Sequence, residues 1–184
     1  YIHIMFIQTE KTPNPNSLKF IPGKKVLNSG NLEILEKDQI DNELVKNIIS
    51  VNGVESIFLS EYFLSVKKKE ETDWQDLIYI IKSFINDYYS SGKEIVIDEN
   101  NKSLNESDLE DIEKKIISIL DTKIRPAVAR DGGDIKFQEF SNGIVKVKLQ
   151  GSCSGCPSST MTLKQGVQNL LCHYIPEVKE VLAI

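Results

Sequence analysis

Two cysteines stand three positions apart in GSCSGCPSS, residues 151–159, and a third, Cys172, is followed directly by His173. Thiols at this spacing aim their sulfurs at one point when the chain between them turns tightly, and Gly155 permits that turn. Cys153 and Cys156 could then close a disulfide, work as a redox couple, or ligate zinc or an iron–sulfur cluster. Three cysteines in 184 residues are too few, and odd in number, for a secreted disulfide scaffold. A reducing compartment is expected, where such a pair serves as ligand or redox catalyst more often than as a bridge.

Ligand number narrows these uses without deciding them. Structural zinc and the common iron–sulfur clusters take four soft ligands, and the loop supplies two. Cys172 and His173 lie about 16 residues further on, roughly 24 Å along a helix rising 1.5 Å per residue, and cannot close the same site. A second copy of the chain can: two loops meeting across a two-fold axis bring four thiolates. Both cysteines precede a helix start, whose free N–H groups favour negative charge, so lowered thiol pKa values are expected. A dithiol oxidoreductase is the rival, but its thioredoxin-like pattern sets the CxxC after the first strand of a βαβ unit. Here the pair follows an antiparallel hairpin, and no His, Pro or acid separates the cysteines. Cluster binding, redox chemistry, zinc and a structural pair all remain open on the residues alone.

The elements around the loop are readable. SDLE at 107–110 has the form of a capping box, Ser107 at the cap and Glu110 three on, ahead of a stripe at Leu109, Ile112, Ile116 and Ile119. Pro126 is expected to end or kink that helix near Lys123. DGGD, 131–134, reads as a sharp turn, and two β runs about Asn142-Gly143 read as a hairpin with Val145, Val147 and Leu149 on one side. After the cysteines, Pro157 suits a first helical turn. Leu163, Val167, Leu170, Leu171 and Tyr174 form one helix face before Pro176, and EVKEVLAI reads as a final strand.

The first ninety residues read as an α+β domain. HIMFIQTE and SLKFIP are strand candidates about the rigid turn KTPNPN, and VESIFLS and YFLSVKK are two more. DNELVKNIIS is a helix with Asp41 as its cap. TDWQDLIYIIKSFINDYY carries Trp74, Leu77, Ile78, Ile81 and Ile85 at helical spacing, with Thr72 or Asp73 as cap. No ligand cluster, nucleophile pair or phosphate loop is visible there. SSGKEIVIDENNKSLNES, 90–107, reads as a linker with a short strand at Ile95–Ile97. The expected organisation is α+β throughout: domain 1–91, linker 92–107 and domain 108–184, the latter a helix, hairpin, Cys loop, helix and strand.

Net charge is −5, from 22 basic and 27 acidic residues. Residues 108–184 carry ten of each sign, and the cluster Lys67-Lys68-Lys69 runs straight into Glu70-Glu71, so the basic stripe that nucleic acid requires is missing. No apolar run approaches the ~20 residues that span a bilayer. The opening YIHIMFIQTE lacks the pattern of a secretory leader, and Met5 reads as a native start.

IRPAVARDGGDIKFQEFSNGIVKVKLQGSCSGCPSSTMTLKQGVQNLLCHYIPEV closely resembles the C-terminal domain of the NifU-like (Nfu) iron–sulfur proteins, and FIQTEKTPNPNSLKFIPGKKVL resembles their N-terminal domain. The resemblance implies a scaffold or carrier, with no substrate turnover. It would hold an iron–sulfur cluster, [4Fe-4S], between two protomers, with Cys153 and Cys156 of each as ligands. Its partners would be a second copy of itself, upstream cluster-assembly factors and the apo-proteins that receive the cluster. The N-terminal domain in that family has no cluster ligands and is linked with client recognition. The bacterial cytoplasm is the expected compartment, with the mitochondrial matrix as the alternative.

Several residues have a plainer reading than a functional one. The Gly132-Gly133 turn between Asp131 and Asp134 is expected to exist for its backbone, and Arg125 for a surface ion pair at a helix bend. His3 and His173 read as ordinary surface residues. Cys172 lies on the helical wheel opposite the Leu163–Val167–Leu170 stripe, beside Met161, and reads as a half-exposed thiol. Met161 and Cys172 would otherwise mark a face for a second copy or a client.

Overall fold

The computed structural model describes residues 6–95, 108–155 and 157–184, with the side chains of residues 157–159 excepted. The chain divides into two compact units, Tyr1–Asp98 and Glu99–Ile184. Both mix helices with sheet, as the α+β reading expects.

In the first unit, β1 (Gln8–Lys11), β2 (Ser17–Ile21), β3 (Leu32–Ile34), β4 (Val54–Leu59) and β5 (Leu64–Lys68) form an antiparallel sheet in the order β1-β2-β5-β4-β3. Helices α1 (Glu43–Ile49) and α2 (Trp74–Ser90) supply Leu44, Val45 and Ile48, and Leu77, Ile81 and Ile85, to a core shared with Phe20, Ile57, Leu64 and Val66. The cap of α1 is Asn42, whose side chain accepts from Val45 N at 3.1 Å. The expected cap, Asp41, pairs instead with Lys46. Asp73 is the residue at the cap of α2. The TPNPN turn is tied down from within and from α2: Asn14 accepts from Asn16 N at 2.9 Å, and Trp74 Nε1 donates to the Pro15 carbonyl at 3.0 Å. Ile95 belongs to this core, while the rest of the expected linker strand, Val96 and Ile97, lies outside the described residues.

In the second unit, α3 (Asp111–Ile119) begins later than SDLE suggests. Glu113 accepts from the Glu110 N–H at 2.9 Å, which makes Glu110 the cap residue, and Ser107 lies outside the described residues. Pro126 neither ends nor breaks the helical path. Residues Leu120–Ile124 widen into a single π turn, and α4 (Arg125–Arg130) starts with proline in its first turn. There the missing N–H is not needed, and the wider turn relieves the ring's clash with the preceding carbonyls. Strands β6 (Gly133–Ser141) and β7 (Ile144–Gly151) join through Asn142 (φ 52°) and Gly143 (φ 80°), a turn with both central residues left-handed as a two-residue hairpin demands. Helix α5 (Pro157–Tyr174) then crosses to β8 (Glu180–Ala183), which pairs parallel to β7, giving the sheet order β6-β7-β8. Ile116, Leu120, Val128, Ile135, Val145, Val147, Val167, Leu171 and Val181 fill the core. Tyr174, expected on the buried face of α5, is 50% exposed. It lies at the end of the helix, and Ile175 just beyond is buried in its place.

Candidate functional site

The cysteine loop leaves β7 at Gly151 and feeds α5. Gly151 (φ 63°) and Gly155 (φ 72°) both adopt left-handed backbone, so the loop turns back on itself. Ser154 N donates to the Gly151 carbonyl at 3.1 Å and Ser154 Oγ to the same oxygen at 2.9 Å. Thr160 Oγ1, in the first turns of α5, donates to the Cys153 carbonyl at 3.3 Å. Cys153 therefore sits at the strand–helix junction where the sequence places it, while Cys156 lies outside the described residues.

What the sequence does not show is where the Cys153 side chain goes. It is only 7% exposed and packs as a member of the hydrophobic core. Its neighbour is Gly133, which faces Gly151 across the β6–β7 pair. A Cβ added to Gly133 would lie 2.6 Å from Cys153 Sγ, 2.8 Å from the Gln150 carbonyl oxygen and 3.0 Å from Cys153 N. The thiol occupies the space that Gly133 leaves open. Burial pushes the Cys153 thiol up to about 11, with a hydrogen bond from Ser152 opposing and the carboxylates of Asp131 and Asp134 adding to the rise. The lowered pKa expected from the helix start is thus overturned for this thiol: desolvation first, then two acidic neighbours, raise it.

The DGGD turn does more than reverse the chain. Ser152 N donates to the Gly132 carbonyl at 3.2 Å, and Ser152 Oγ donates to the Asp131 carbonyl, so the cysteine loop hangs from this turn. Asp134 is 1% exposed and takes both prongs of Arg125, Nε to Oδ1 at 2.8 Å and Nη2 to Oδ2 at 2.9 Å. Asp134 Oδ1 also accepts from Ile135 N at 2.8 Å, and Arg125 Nη1 reaches Asp121 at 3.0 Å. Arg125 therefore makes the expected surface ion pair, with half-exposed Asp121, and a second pair as well: its bidentate contact to buried Asp134. These hydrogen bonds, Asp134 first, hold the guanidinium firmly protonated.

Cys172 is half-buried against the same core rather than facing away from it, and like Cys153 it is a free thiol. His173 makes an edge contact with Tyr174, and His3 lies outside the described residues. Met161 is 74% exposed and lines a groove of about 940 Å³ with Gly155, Lys164, Gln165, Gln168 and Leu182. Gln168 Oε1 accepts from Val181 N at 3.0 Å and so covers part of the open edge of β8. Among the described residues no three or more His, Cys, Asp or Glu side chains converge as a metal site, and no helix is long and apolar enough to cross a membrane.

A thiol-bearing loop at a strand–helix junction, on the second unit of a two-unit α+β chain, is the class that fold and site define. Residues 116–182 match the NifU-like domain, and residues 7–92 match the N-terminal domain of the scaffold protein Nfu/NifU. The chain is 44% identical over 183 residues to the human "NFU1 iron-sulfur cluster scaffold homolog, mitochondrial", covering 98% of this chain and 72% of that one. It is 42% identical over 185 residues to "NifU-like protein 4, mitochondrial" of Arabidopsis thaliana, covering 96% of this chain and 65% of that one. The solution structure of a NifU-like protein from Saccharomyces cerevisiae overlaps 52% of this chain and 87% of that one, with 25% identity and a TM-score of 0.47. The chain belongs to the Nfu/NifU family of iron–sulfur cluster scaffold proteins.

Proposed function

We propose that this chain carries an iron–sulfur cluster, [4Fe-4S], between two copies of itself, and passes it to apo-proteins without catalysing a turnover reaction of its own. Cys153 and Cys156 of each copy are the ligands, and a linker ending at residue 107 joins a recognition domain, whose core takes in Ile95, to the cluster-carrying domain, 108–184. Soft thiolates are the donors such a cluster takes. The single observation that carries the reading is the thiol loop itself: it leaves β7 at Gly151 and enters α5 with Cys153 at the junction, and its sequence holds two cysteines where such a cluster takes four soft donors. A second chain makes up the number. Cys153 points into its own core, so loading requires its side chain to leave that seat. The names of the relatives, which say mitochondrial, support a mitochondrial compartment over the bacterial cytoplasm. The word scaffold in those names supports apo iron–sulfur proteins as clients, and upstream assembly factors complete the proposal as the source of the cluster.

The dithiol oxidoreductase remains the second reading, and the structure changes the ground on which it stands. β7, α5 and β8 do form a parallel βαβ unit with the cysteines after its first strand, so topology no longer counts against it. The state of Cys153 does: a thiol with a pKa of about 11 is almost wholly protonated at neutral pH and attacks disulfides slowly. Anaerobic reconstitution with iron and sulfide separates the two. Broad visible absorption that is lost in both Cys153→Ser and Cys156→Ser supports the cluster, with a Mössbauer spectrum assigning its type. Insulin reduction by cluster-free protein, abolished by either change, supports the oxidoreductase.

A further inference from the structure

We infer that Arg125 and Asp134 are positioning residues for Cys153: their buried bidentate pair holds the DGGD turn against the cysteine loop and so sets whether the thiol is seated or released. The inference rests on Cys153 being a ligand only for its consequence, not for its geometry. The DGGD turn is fixed from both sides. On its N-terminal side, Asp131 N donates to the Val128 carbonyl and Gly132 N to the Ala129 carbonyl, both at 3.1 Å, closing α4. On its C-terminal side, Asp134 is gripped by Arg125 from the start of the same helix, at 2.8 and 2.9 Å. The turn is thereby clamped to both ends of α4. Gly132 and Asp131 then present their carbonyls to Ser152, and Gly133 presents its bare Cα to Cys153 Sγ.

A shift of a few tenths of an ångström at Gly133 reaches the thiol directly, because the contacts around it leave no slack. Asp134 also lies opposite Gln150 in the β6–β7 register, the residue whose carbonyl bounds the same space. Side-chain oxygen Oε1 of Gln150 is buried without a hydrogen-bond partner among the described residues, so the junction is only partly satisfied outside the Arg125 grip. Lysine cannot replace arginine here, since a point charge on a flexible stem supplies neither the planar fork nor the third contact to Asp121.

The test uses the full-length apo chain in a Cys156→Ser background, where Cys153 and Cys172 are the two remaining thiols, and follows iodoacetamide labelling of each by peptide mass spectrometry. Arg125→Lys and Asp134→Asn should each speed labelling of Cys153 about tenfold or more while leaving Cys172 at its original rate. Arg125→Gln should do the same, and Lys123→Met, two residues away, should change neither. Cys172 packs against the same core, so general loosening would raise both rates together. That result, or an unchanged Cys153, overturns the inference. A second arm reconstitutes otherwise unsubstituted chains with iron and sulfide and follows bleaching by EDTA: Arg125→Lys should lose its visible absorption several-fold faster than the parent. Equal bleaching rates would overturn the link to cargo release. A parent that never takes up a cluster would overturn the proposed function while leaving the thiol result standing.

Discussion

Replacing Gly133 by alanine is the sharpest perturbation of the cysteine seat, because the added atom has nowhere to go. Its Cβ would lie 2.6 Å from Cys153 Sγ, about 1 Å inside ordinary contact, 2.8 Å from the Gln150 carbonyl oxygen at the end of β7 and 3.0 Å from Cys153 N in the loop. Rotating the thiol away relieves the first clash only. The other two require the loop itself to shift, and overpacking of this kind costs ~1–3 kcal/mol. Alanine also restricts the unfolded chain, which returns ~0.4–1 kcal/mol. A net loss of about 1–2 kcal/mol in a unit of this size lowers its melting temperature by about 4–16 °C. Gly166→Ala, in the middle of α5 where nothing lies within 4 Å, is the matched control. It should gain ~0.5–1 kcal/mol from helix propensity alone. Trp74 is the sole tryptophan and belongs to the first unit. The fluorescence transition should therefore stay in place in both variants, while the circular-dichroism transition of the second unit moves down in one and up in the other. If Gly133→Ala melts with the parent, the thiol does not sit where this account puts it.

Raised by burial, the Cys153 thiol should lose its proton only as pH approaches about 11. The folded state holds that proton more tightly than the unfolded one, so the contribution is complete below pH 9, the ordinary thiol value. It drains away as pH rises to about 11, with a loss of ~2–3 kcal/mol. Urea titrations across this range, followed by the circular-dichroism transition of the second unit, should show the loss in the parent and not in Cys153→Ala, and a flat parent profile would contradict the buried thiol. Leu171→Ala, at the centre of the second core, should cost ~2–5 kcal/mol by calorimetry and leave the Trp74 transition alone. Gly53→Ala should do the reverse: its φ is +98° and its Cβ would lie 2.5 Å from Thr72, so the fluorescence transition falls while the second unit holds. Met161→Lys, at an exposed position, should stay within ~0.5 kcal/mol of the parent in apo stability. In sedimentation it should weaken pairing of the reconstituted chain, and unaltered pairing would mean that this face is not used.

Much of the fold was open to reading because local chemistry and global packing agree. Asn142-Gly143 demands a left-handed turn and gets one, and the Leu77–Ile81–Ile85 stripe of α2 is the face that is buried. Short or context-set features were not legible. Leu32–Ile34 becomes a strand only by pairing with β4 at the sheet edge, and three residues carry no periodicity. Pro126 marks an irregularity correctly, but whether a helix breaks there or widens depends on what its residues pack against. Helical spacing puts Tyr174 on the core face, yet the helix ends there and Ile175, one residue on, takes the buried place. The site was legible as a motif and not as an environment. CxxC fixes which residues could be ligands, while the burial of Cys153 depends on a glycine twenty positions upstream that meets it only when β6 and β7 pair. Nothing in the sequence near Arg125 signals that its partner is Asp134, since the two become neighbours through the π turn and α4.

Native mass spectrometry of the anaerobically reconstituted full-length chain weighs protein and inorganic content together. One [4Fe-4S] unit on a species of two chains, absent when Cys153 is serine, is the expected spectrum. A single chain carrying the whole cluster, or a loaded pair that survives Cys153→Ser unchanged, would contradict it.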